Sequence, residues 1–316
     1  KDMDFRDITP NFISGFTSYM QALSNRRNPD TTLSPNSIAK HLKTLRAILN
    51  KAADDGLIQP YEIPRKLISV KEIPPTITGL QDEELNKLIT LPIKENTDRW
   101  NARNLFLFAM YEGGIRIGDI IQLRWRNIVG DRLIYVMTKN GKQVNVILVQ
   151  EAKKILMRYK RQGQRPEHYI FPYLDSSAEY AKYLDYEDRQ KMPPDISKKL
   201  FETINAREAR IGMMLREIRA LTGIPHLTFH TARHTFALRA KEANVDNTTL
   251  KNILKHSSLN TTETYVKKLD CRSEDAAMRV MYLDKARKNK EKKRIIKQIQ
   301  KLGFSTEELI ELLAGD

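Results

Sequence analysis

Residues 131–149, DRLIYVMTKNGKQVNVILV, form the clearest strand signal in a chain whose other periodic segments have helical spacing. Two runs rich in β-branched residues, Leu133–Val136 and Val144–Ile147, flank the dipeptide Asn140-Gly141. An Asn-Gly pair between two such runs is the strongest short signal for a hairpin turn. The stretch therefore predicts one β-hairpin within a mainly helical protein.

The part of the chain before residue 72 is predicted to be all-helical. Apolar side chains recur at helical spacing from Phe12 to Leu23, and Pro10 suits the first turn of that helix. A second helix is predicted after Ser34, a favourable N-cap that Pro35 follows.

A linker is predicted at residues 73–77, because the two prolines in this segment cannot continue a helix. Beyond it, Thr78 and Gln81 are predicted to form the capping box of a new helix. Residues 99–113 are strongly apolar and predict a central helix, and another helix is predicted to start with residues 115–125.

The segments after the hairpin return mainly to helical patterns. A helix is predicted from about Glu151, and residues 168–173 are predicted to be a short strand. Residues 174–200 are polar and charged, which predicts an insertion or a flexible loop. Further helices follow, one closed by Gly223 and the next capped near Thr228. The predicted fold class is mainly α with a small antiparallel β-sheet or hairpin.

The charge of the chain favours a polyanionic partner. Its 316 residues include 54 Lys and Arg against 39 Asp and Glu, giving a formal charge of +15 and a pI near 9.7. Because neutralising phosphates releases counterions, nucleic acid is the simplest partner, and an anionic membrane surface is the competing explanation. With 41% apolar residues, the chain can also form a sizeable core.

Compartment signals point to the cytoplasm. The sequence has no apolar run of roughly 18 residues to span a bilayer and no signal-peptide core near its start. The single cysteine, Cys271, excludes an intrachain disulfide and suits a reducing compartment. We therefore expect a soluble, cytoplasmic, nucleoid-associated protein without a membrane partner. The chain starts at Lys1 rather than at methionine, so a removed upstream segment is a further expectation.

Six side chains that are far apart in sequence share one chemical logic: Arg116, Lys139, His230, Arg233, His256 and Tyr265. Arginine neutralises, bidentately, the charge that builds on the oxygens of an attacked phosphodiester. Lysine can give a proton to the departing oxygen, and histidine can shuttle the nucleophile's proton near neutral pH. Tyrosine can form a covalent phosphoester, which divides one displacement into two.

Each of these residues also has an ordinary explanation. Arg116 can be a surface arginine at a helix start, Lys139 a turn residue and His256 a helix cap. His230 and Arg233 share a helix face simply because they are three positions apart. No acidic metal-binding cluster accompanies the set, so we expect neither a metal nor another cofactor.

A metal enzyme is a rival interpretation, because His226, His230 and His234 recur every four residues. Pro225 and the cap near Thr228 should leave His226 outside the helix, and no HExxH glutamate is present. Loss of activity with a chelator would support this rival.

Four motifs resemble, in order, the conserved boxes of the tyrosine recombinase (phage integrase) family. GGIRIGDIIQLRW (113–125) is similar to the first box, and MTKNGKQVNVIL (137–148) to the catalytic hairpin. HTARHTFA (230–237) resembles the His-x-x-Arg box, and LKHSSLNTTETYVK (254–267) the histidine-to-tyrosine box. The resemblance runs from about residue 78 to 268, with the family's spacing of nine between the last histidine and the tyrosine.

The resemblance implies a DNA breaking-rejoining enzyme that works without ATP or metal. Tyr265 would attack the scissile phosphate, form a 3′-phosphotyrosyl link and free a 5′-hydroxyl. Arg116 and Arg233 would bind the phosphate oxygens. His230 would act as acid and base, and His256 would hydrogen-bond the phosphate.

The hairpin lysines have overlapping expected roles. Lys139 would protonate the leaving oxygen, and Lys142, three residues on, is its rival for that role and otherwise a predicted DNA contact. Asp119 matches a carboxylate of the first box and is expected to support the site. Further lysines, on the second helix of the chain, are either DNA contacts or an ordinary solvated face. They are Lys40, Lys43 and Lys51.

The resemblance also predicts the domain organisation. Residues 1–72 would be a SAM-like core-binding domain, 73–77 a linker and 78–284 the catalytic domain. Residues 285–316 would be a basic linker followed by an amphipathic helix. That helix is expected to contact a neighbouring protomer in a homotetramer on its DNA site, with a Holliday-junction intermediate and accessory DNA-bending or excision factors.

Several functions remain open within and outside this family. The favoured expectation is integration and excision of a mobile element. The alternatives are Xer-like resolution of chromosome dimers, relaxation of supercoils in the manner of a type IB topoisomerase, and DNA binding without catalysis.

Overall fold

The computed structural model describes residues 3–25, 28–60, 68 and 78–255. The chain divides into two compact units, Lys1–Pro75 and Thr76–Asp316. The described residues are mainly helical with small antiparallel sheets, so the predicted fold class is confirmed. No helix in the described ranges is long and apolar enough to cross a membrane. The predicted linker and the predicted C-terminal helix lie outside the described residues.

The first unit is built on two capped helices. Helix α1 (Pro10–Ala22) follows Thr9, and helix α2 (Pro35–Asp54) follows Ser34. Each cap side chain accepts a backbone N–H of the first turn at 3.2 Å, so both predicted helix starts are confirmed. The helices share one hydrophobic core, whose buried members are Ile13, Met20, Ile38, Leu42, Leu49, Ala52, Ile58 and Ile68.

A small sheet also belongs to the first unit, so the prediction that this region is all-helical is wrong. Strand β1 (Ser24–Asn25) pairs antiparallel with strand β2 (Asn28–Thr32). These residues are polar and have no apolar periodicity, so the sequence offered no strand signal. Pro29 is tolerated because each strand of a two-stranded sheet has an unpaired edge.

The second unit contains the following elements in chain order: α3 (Asp82–Thr90), α4 (Asp98–Tyr111), α5 (Ile117–Ile120), β3 (Ile128–Val129), β4 (Arg132–Val136), β5 (Gln143–Ile147), α6 (Gln150–Tyr159), α7 (Tyr186–Gln190), α8 (Pro194–Thr222), α9 (Phe229–Glu242) and α10 (Asn247–Leu254). Helix α4 packs against α6, α8 and α9. Its Phe106 and Phe108 are fully buried in the largest core, so the predicted central helix is confirmed.

The predicted hairpin is confirmed and belongs to a three-stranded antiparallel sheet in the order β3-β4-β5. Strands β4 and β5 pair from Arg132 opposite Ile147 to Val136 opposite Gln143. Gly141 in the turn has a φ of +64°, which glycine adopts without strain. Strand β3 was not predicted, because two residues are too few to show an alternating pattern.

The predicted capping box of α3 is wrong. The Gln81 N–H donates to the Glu84 carboxylate at 2.9 Å, so the box lies three residues later than the Thr78–Gln81 pair. The Leu80 N–H donates instead to the Thr235 hydroxyl of α9 at 2.9 Å. This contact keeps the residues before Gln81 out of the helix.

The strand predicted at residues 168–173 is also wrong, since Tyr169 forms only an isolated antiparallel bridge with Arg124. The chain opposite turns into a 3-10 helix at Trp125–Asn127, which ends the pairing. The predicted helix over residues 115–125 is likewise shortened to α5.

Residues 174–200 are a folded segment, so the prediction of a flexible loop is wrong. The segment contains a 3-10 helix at Glu179–Lys182, helix α7 and the first turns of α8, which starts at Pro194. It has its own hydrophobic cluster, formed by Tyr169, Leu174, Tyr180, Ala181, Met192, Ile196 and Leu200. These side chains are too irregularly spaced in sequence to produce a helical or strand pattern.

Candidate active site

The first motif and the His-x-x-Arg motif are in direct contact. The Gly114 carbonyl accepts a hydrogen bond from Arg233 Nη1 at 2.9 Å. Gly114 has a φ of +70°, and a Cβ added there would lie 2.8 Å from the Arg233 Cα. Glycine is therefore required by both conformation and space. Arg116 follows two residues later, as the N-cap of α5.

Arg233 also contacts the start of the motif that contains the predicted nucleophile. The Arg233 side chain lies on α9 and is buried, at 5% exposure. Its Nη2 donates to the carbonyl of Leu254, the last residue of α10, at 2.6 Å. Lys255, the C-cap residue, has a φ of +53°, so the chain leaves the helix there in the left-handed conformation.

The hairpin contacts both of these regions. Met137 Sδ accepts a hydrogen bond from Arg116 Nη1 at 3.8 Å, and the Thr138 N–H donates to Asp119 Oδ1 at 2.8 Å. At the tip, Asn140 Nδ2 donates to the Lys255 carbonyl at 3.4 Å. Lys139 is exposed between these contacts.

The described part of each of the four motifs thus lies in one neighbourhood. Arg116 contacts the hairpin at Met137, and Arg233 and the hairpin tip bind adjacent carbonyls at the end of α10. His256 and Tyr265 lie outside the described residues. Lys255, which immediately precedes His256, is the last described residue of the chain.

His230 and His234 form an edge-to-face pair on α9, with ring centroids 4.5 Å apart. Partial desolvation lowers the pKa of His230, and the charges of Arg233 and Arg116 lower it further. Burial, then His230 and Arg233, lower the pKa of His234 to about 4. Both rings are therefore neutral near pH 7. His234 was not predicted as part of this site.

Glu112 is a buried carboxyl next to the first motif that sequence reasoning missed. Its Oε1 accepts the Val149 N–H at 3.1 Å, and its side chain is 3% exposed. Burial raises the pKa of Glu112 to about 7, against smaller opposing effects of that hydrogen bond and of Lys153. The only sequence signal for Glu112 was its charge next to the apolar last turns of α4.

Tyr135 on β4 is a second residue that was missed. Burial and then the Asp119 charge raise its pKa, whereas Arg233 and Arg116 lower it. The phenol therefore stays protonated and lies within electrostatic range of both predicted arginines. Its inward position follows from strand alternation, which alone does not indicate a role.

The predicted DNA-binding lysines have different surroundings. Lys40 and Lys43 are exposed on α2. Lys51 Nζ lies 2.6 Å from Asp55 Oδ1 in an exposed ion pair. Lys142 is half-buried beside the hairpin turn, where its N–H donates to Asn140 Oδ1 at 3.3 Å.

The three histidines of the rival metal interpretation do not form a cluster. His226 precedes α9, as predicted, and its Nε2 lies 3.7 Å from Glu84 Oε2. Among the described residues, no group of three or more His, Cys, Asp or Glu side chains is placed to hold a metal ion.

Two family models match this chain. Residues 79–272 match the phage integrase family, and residues 1–67 match the phage integrase SAM-like domain. The first match covers more than half of the chain. The protein belongs to the phage integrase family of tyrosine recombinases.

Curated relatives include recombinases of archaea and bacteria. Tyrosine recombinase XerA of Thermococcus kodakarensis is 25% identical over 190 residues, covering 60% of this chain and 57% of that protein. Tyrosine recombinase XerD of Neisseria meningitidis serogroup A is 26% identical over 196 residues, covering 62% and 59%. This chain thus spans under three fifths of the length of these relatives.

Solved structures with the same fold were determined on DNA. A lambda integrase dimer bound to a COC′ core site has a TM-score of 0.57 and 16% identity, covering 84% of this chain and 82% of that chain. The Tn1549 transposon integrase in complex with circular intermediate DNA has a TM-score of 0.52 and 15% identity, covering 88% and 86%. At these identities the likeness establishes the fold.

Proposed function

We propose that this protein cleaves and rejoins DNA strands through a 3′-phosphotyrosine intermediate formed by Tyr265. The observation that carries the proposal is the position of Arg233. Its guanidinium donates to Gly114, two residues before Arg116, and to Leu254, two residues before His256. One side chain thus joins the two motifs that contain the other phosphate-binding candidates.

The proposed chemistry gives each of the candidate residues one role. The Tyr265 oxygen attacks the phosphorus, the bond to the 5′-oxygen breaks, and Lys139 gives that oxygen a proton. Arg116 and Arg233 neutralise the charge on the non-bridging oxygens. A guanidinium has five N–H donors, so the two carbonyl contacts of Arg233 are compatible with a phosphate contact.

His230 is suited to accept the proton of the nucleophile. Partial desolvation and the two nearby arginines lower its pKa, so its imidazole is neutral near pH 7, and a neutral imidazole can act as a base. Rejoining reverses the path, with the imidazolium returning the proton to the departing phenol. His256 is proposed to hydrogen-bond the same phosphate.

Covalent capture tests this proposal without knowledge of the natural site. Duplexes of random sequence, each with a nick that lets the cleaved end diffuse away, are mixed with the protein and then with denaturant. The wild-type protein should retain DNA as a denaturant-resistant adduct, and Tyr265→Phe should not. Tyr19→Phe, at an exposed position of α1, is the matched control and should retain it.

An adduct that persists in Tyr265→Phe would contradict the assignment of the nucleophile. An absence of any adduct with the wild-type protein would contradict the proposed activity itself. The captured duplexes, once sequenced, also supply the preferred DNA site.

Within this activity we propose integration and excision of a mobile element by four protomers acting through a Holliday junction. The match of residues 1–67 to the SAM-like domain of phage integrases supports this assignment. Resolution of chromosome dimers is the second candidate, because curated relatives are named XerA and XerD. Plasmids carrying two captured sites, in separate molecules or in one dimer, distinguish joining from resolution by product size.

A further inference from the structure

The folded 174–200 segment contacts the catalytic-hairpin region through one arginine. Arg189 of α7 donates from Nη1 to Gln122 Oε1 at 2.6 Å, and from Nε to the Asp185 carbonyl at 3.1 Å. The second bond fixes the guanidinium on its own helix. The first connects α7 to the residues that follow α5.

Gln122 in turn contacts the base of the hairpin. Its Nε2 donates to the Gly118 carbonyl at 2.6 Å and lies 3.5 Å from Thr138 Oγ1. Thr138 also donates its N–H to Asp119, and it is the residue before Lys139. Arg189 is thus separated from the predicted proton donor by one glutamine and one threonine.

The same helix also packs against the hairpin tip. A Cβ placed on Gly141 would lie 3.4 Å from the Tyr186 hydroxyl oxygen. Between α7 and the hairpin is a cavity of about 190 Å³ whose lining includes Gln122, Thr138 and Arg189. Across this space, Arg189 and Gln122 form a chain of polar contacts between α7 and the base of the hairpin.

We propose that Arg189 is a positioning residue for strand cleavage, which holds the hairpin through Gln122 and thereby places Lys139 at the departing oxygen. This inference rests on the proposed function, in which Lys139 donates the proton. It also gives the 174–200 segment a role, which is to support the hairpin from the side.

A sulfur substitution isolates the step that Lys139 serves. The captured duplexes are prepared in two forms, one with the natural bridging 5′-oxygen and one with sulfur in its place. When Tyr265 attacks the sulfur form, the P–S bond breaks and the electron pair stays on a thiolate. A thiolate leaves without a proton, so a defect in proton donation disappears on this substrate.

The expected result is a slower cleavage by Arg189→Met, about tenfold or more on the oxygen substrate, that is restored on the sulfur substrate. Arg189→Lys retains a donor for Gln122, so its cleavage rate on the oxygen substrate should lie between those of the wild type and Arg189→Met. Lys191→Met, at an exposed position at the end of the same helix, should cleave both substrates like the wild type. Restoration on sulfur also shows that Arg189→Met is folded.

Lys139→Met distinguishes a failure of this inference from a failure of the proposed proton donor. If sulfur restores Lys139→Met but not Arg189→Met, or if Arg189→Met is unimpaired on oxygen, the inference fails and the proposed function stands. If sulfur does not restore Lys139→Met, the assignment of the proton donor fails, and the inference fails with it.

Discussion

Gly114 is the residue at which two separate restraints coincide. Its φ of +70° disfavours any side chain, and a Cβ would meet the Arg233 backbone at 2.8 Å. Gly163 has a nearly identical φ of +74° with nothing within 4 Å, so it has the same φ without the close approach. Substitutions of Gly163 and Gly114 therefore allow the cost of a positive φ to be compared with that cost plus a steric conflict.

We expect Gly114→Ala to lower the free energy of unfolding by about 2–4 kcal/mol, and Gly163→Ala by about 1 kcal/mol. Gly114→Ala should also abolish adduct formation, because displacement of Arg233 breaks its contacts with Gly114 and Leu254. Urea unfolding and covalent capture measure the two effects. Equal losses of stability in the two variants would refute the steric part of this explanation.

Glu112 predicts a pH dependence of stability. Its pKa is raised from 4.5 to about 7 on folding, so the native state binds more protons than the unfolded state between these values. The contribution of Glu112 is therefore full below about pH 4.5 and is lost as the pH rises through 7.

Glu112→Gln removes this titration while keeping an oxygen that can accept the Val149 N–H. Relative to the wild type, the variant should gain about 1–3 kcal/mol of unfolding free energy between pH 5 and pH 8. Glu151→Gln, at an exposed position of α6, is the control and should show no such gain. A pH-independent difference between Glu112→Gln and wild type would contradict the raised pKa.

At the scale of elements, the 174–200 segment depends on one buried arginine. Arg124 is 4% exposed, and its Nη2 donates to the Tyr169 hydroxyl at 2.8 Å and to the Ala181 carbonyl at 3.0 Å. The guanidinium also lies 4.1 Å from the centre of the Tyr169 ring. Arg124 thereby joins the first motif to the start of this segment.

Arg124→Met should cost about 2–4 kcal/mol of stability, because several acceptors, the Tyr169 hydroxyl and the Ala181 carbonyl among them, lose a charged donor inside the protein. Amide hydrogen exchange should become faster within residues 169–200 before it does in α4. Arg126→Met, at an exposed position two residues on, is the matched control. Unchanged exchange in the segment would show that its own hydrophobic cluster is sufficient.

The elements that the sequence predicted correctly are those with a complete local signal. The hairpin has two apolar runs and an Asn-Gly turn, and α2 has the Ser34 cap with Pro35 after it. The missed elements depend on distant partners. Strand β3 exists because it pairs with β4, and the 174–200 segment folds because Tyr169 and Leu174, which precede most of it, complete its core.

The candidate site shows the same division. Motif spacing and chemistry pointed to Arg116, Lys139, His230 and Arg233, because each lies in a recognisable motif. Glu112 has only a weak local signal and Arg189 has none, since the features that single them out are burial and contacts with other elements. No sequence pattern relates Arg189 to Gln122, which is 67 positions earlier.

At the scale of the whole molecule, the formal charge of +15 predicts a strong salt dependence of DNA binding. Each phosphate contact changes the slope of log K against log salt by about −0.9. Lys40→Gln should therefore reduce the slope on a random-sequence duplex by about one unit if Lys40 contacts a phosphate. Lys51→Gln is the matched comparison and should change it less, because Lys51 is already paired with Asp55. An unaltered slope for Lys40→Gln would remove this lysine from the DNA interface.

The left-handed Lys255 sets a geometric limit on the reaction. Arg233 binds the Leu254 carbonyl and Asn140 binds the Lys255 carbonyl. The position of Lys255 is therefore fixed relative to these two residues. Ten peptide steps separate Lys255 from Tyr265, and a fully extended chain of that length spans at most about 36 Å. Every phosphate that Tyr265 can attack, in its own protomer's DNA or a neighbour's, therefore lies inside a sphere whose radius is that span plus the length of the tyrosine side chain. Substitutions of Lys255 should therefore change how often the Tyr265 phenol reaches the phosphate, rather than the rate constant of its attack once it is there.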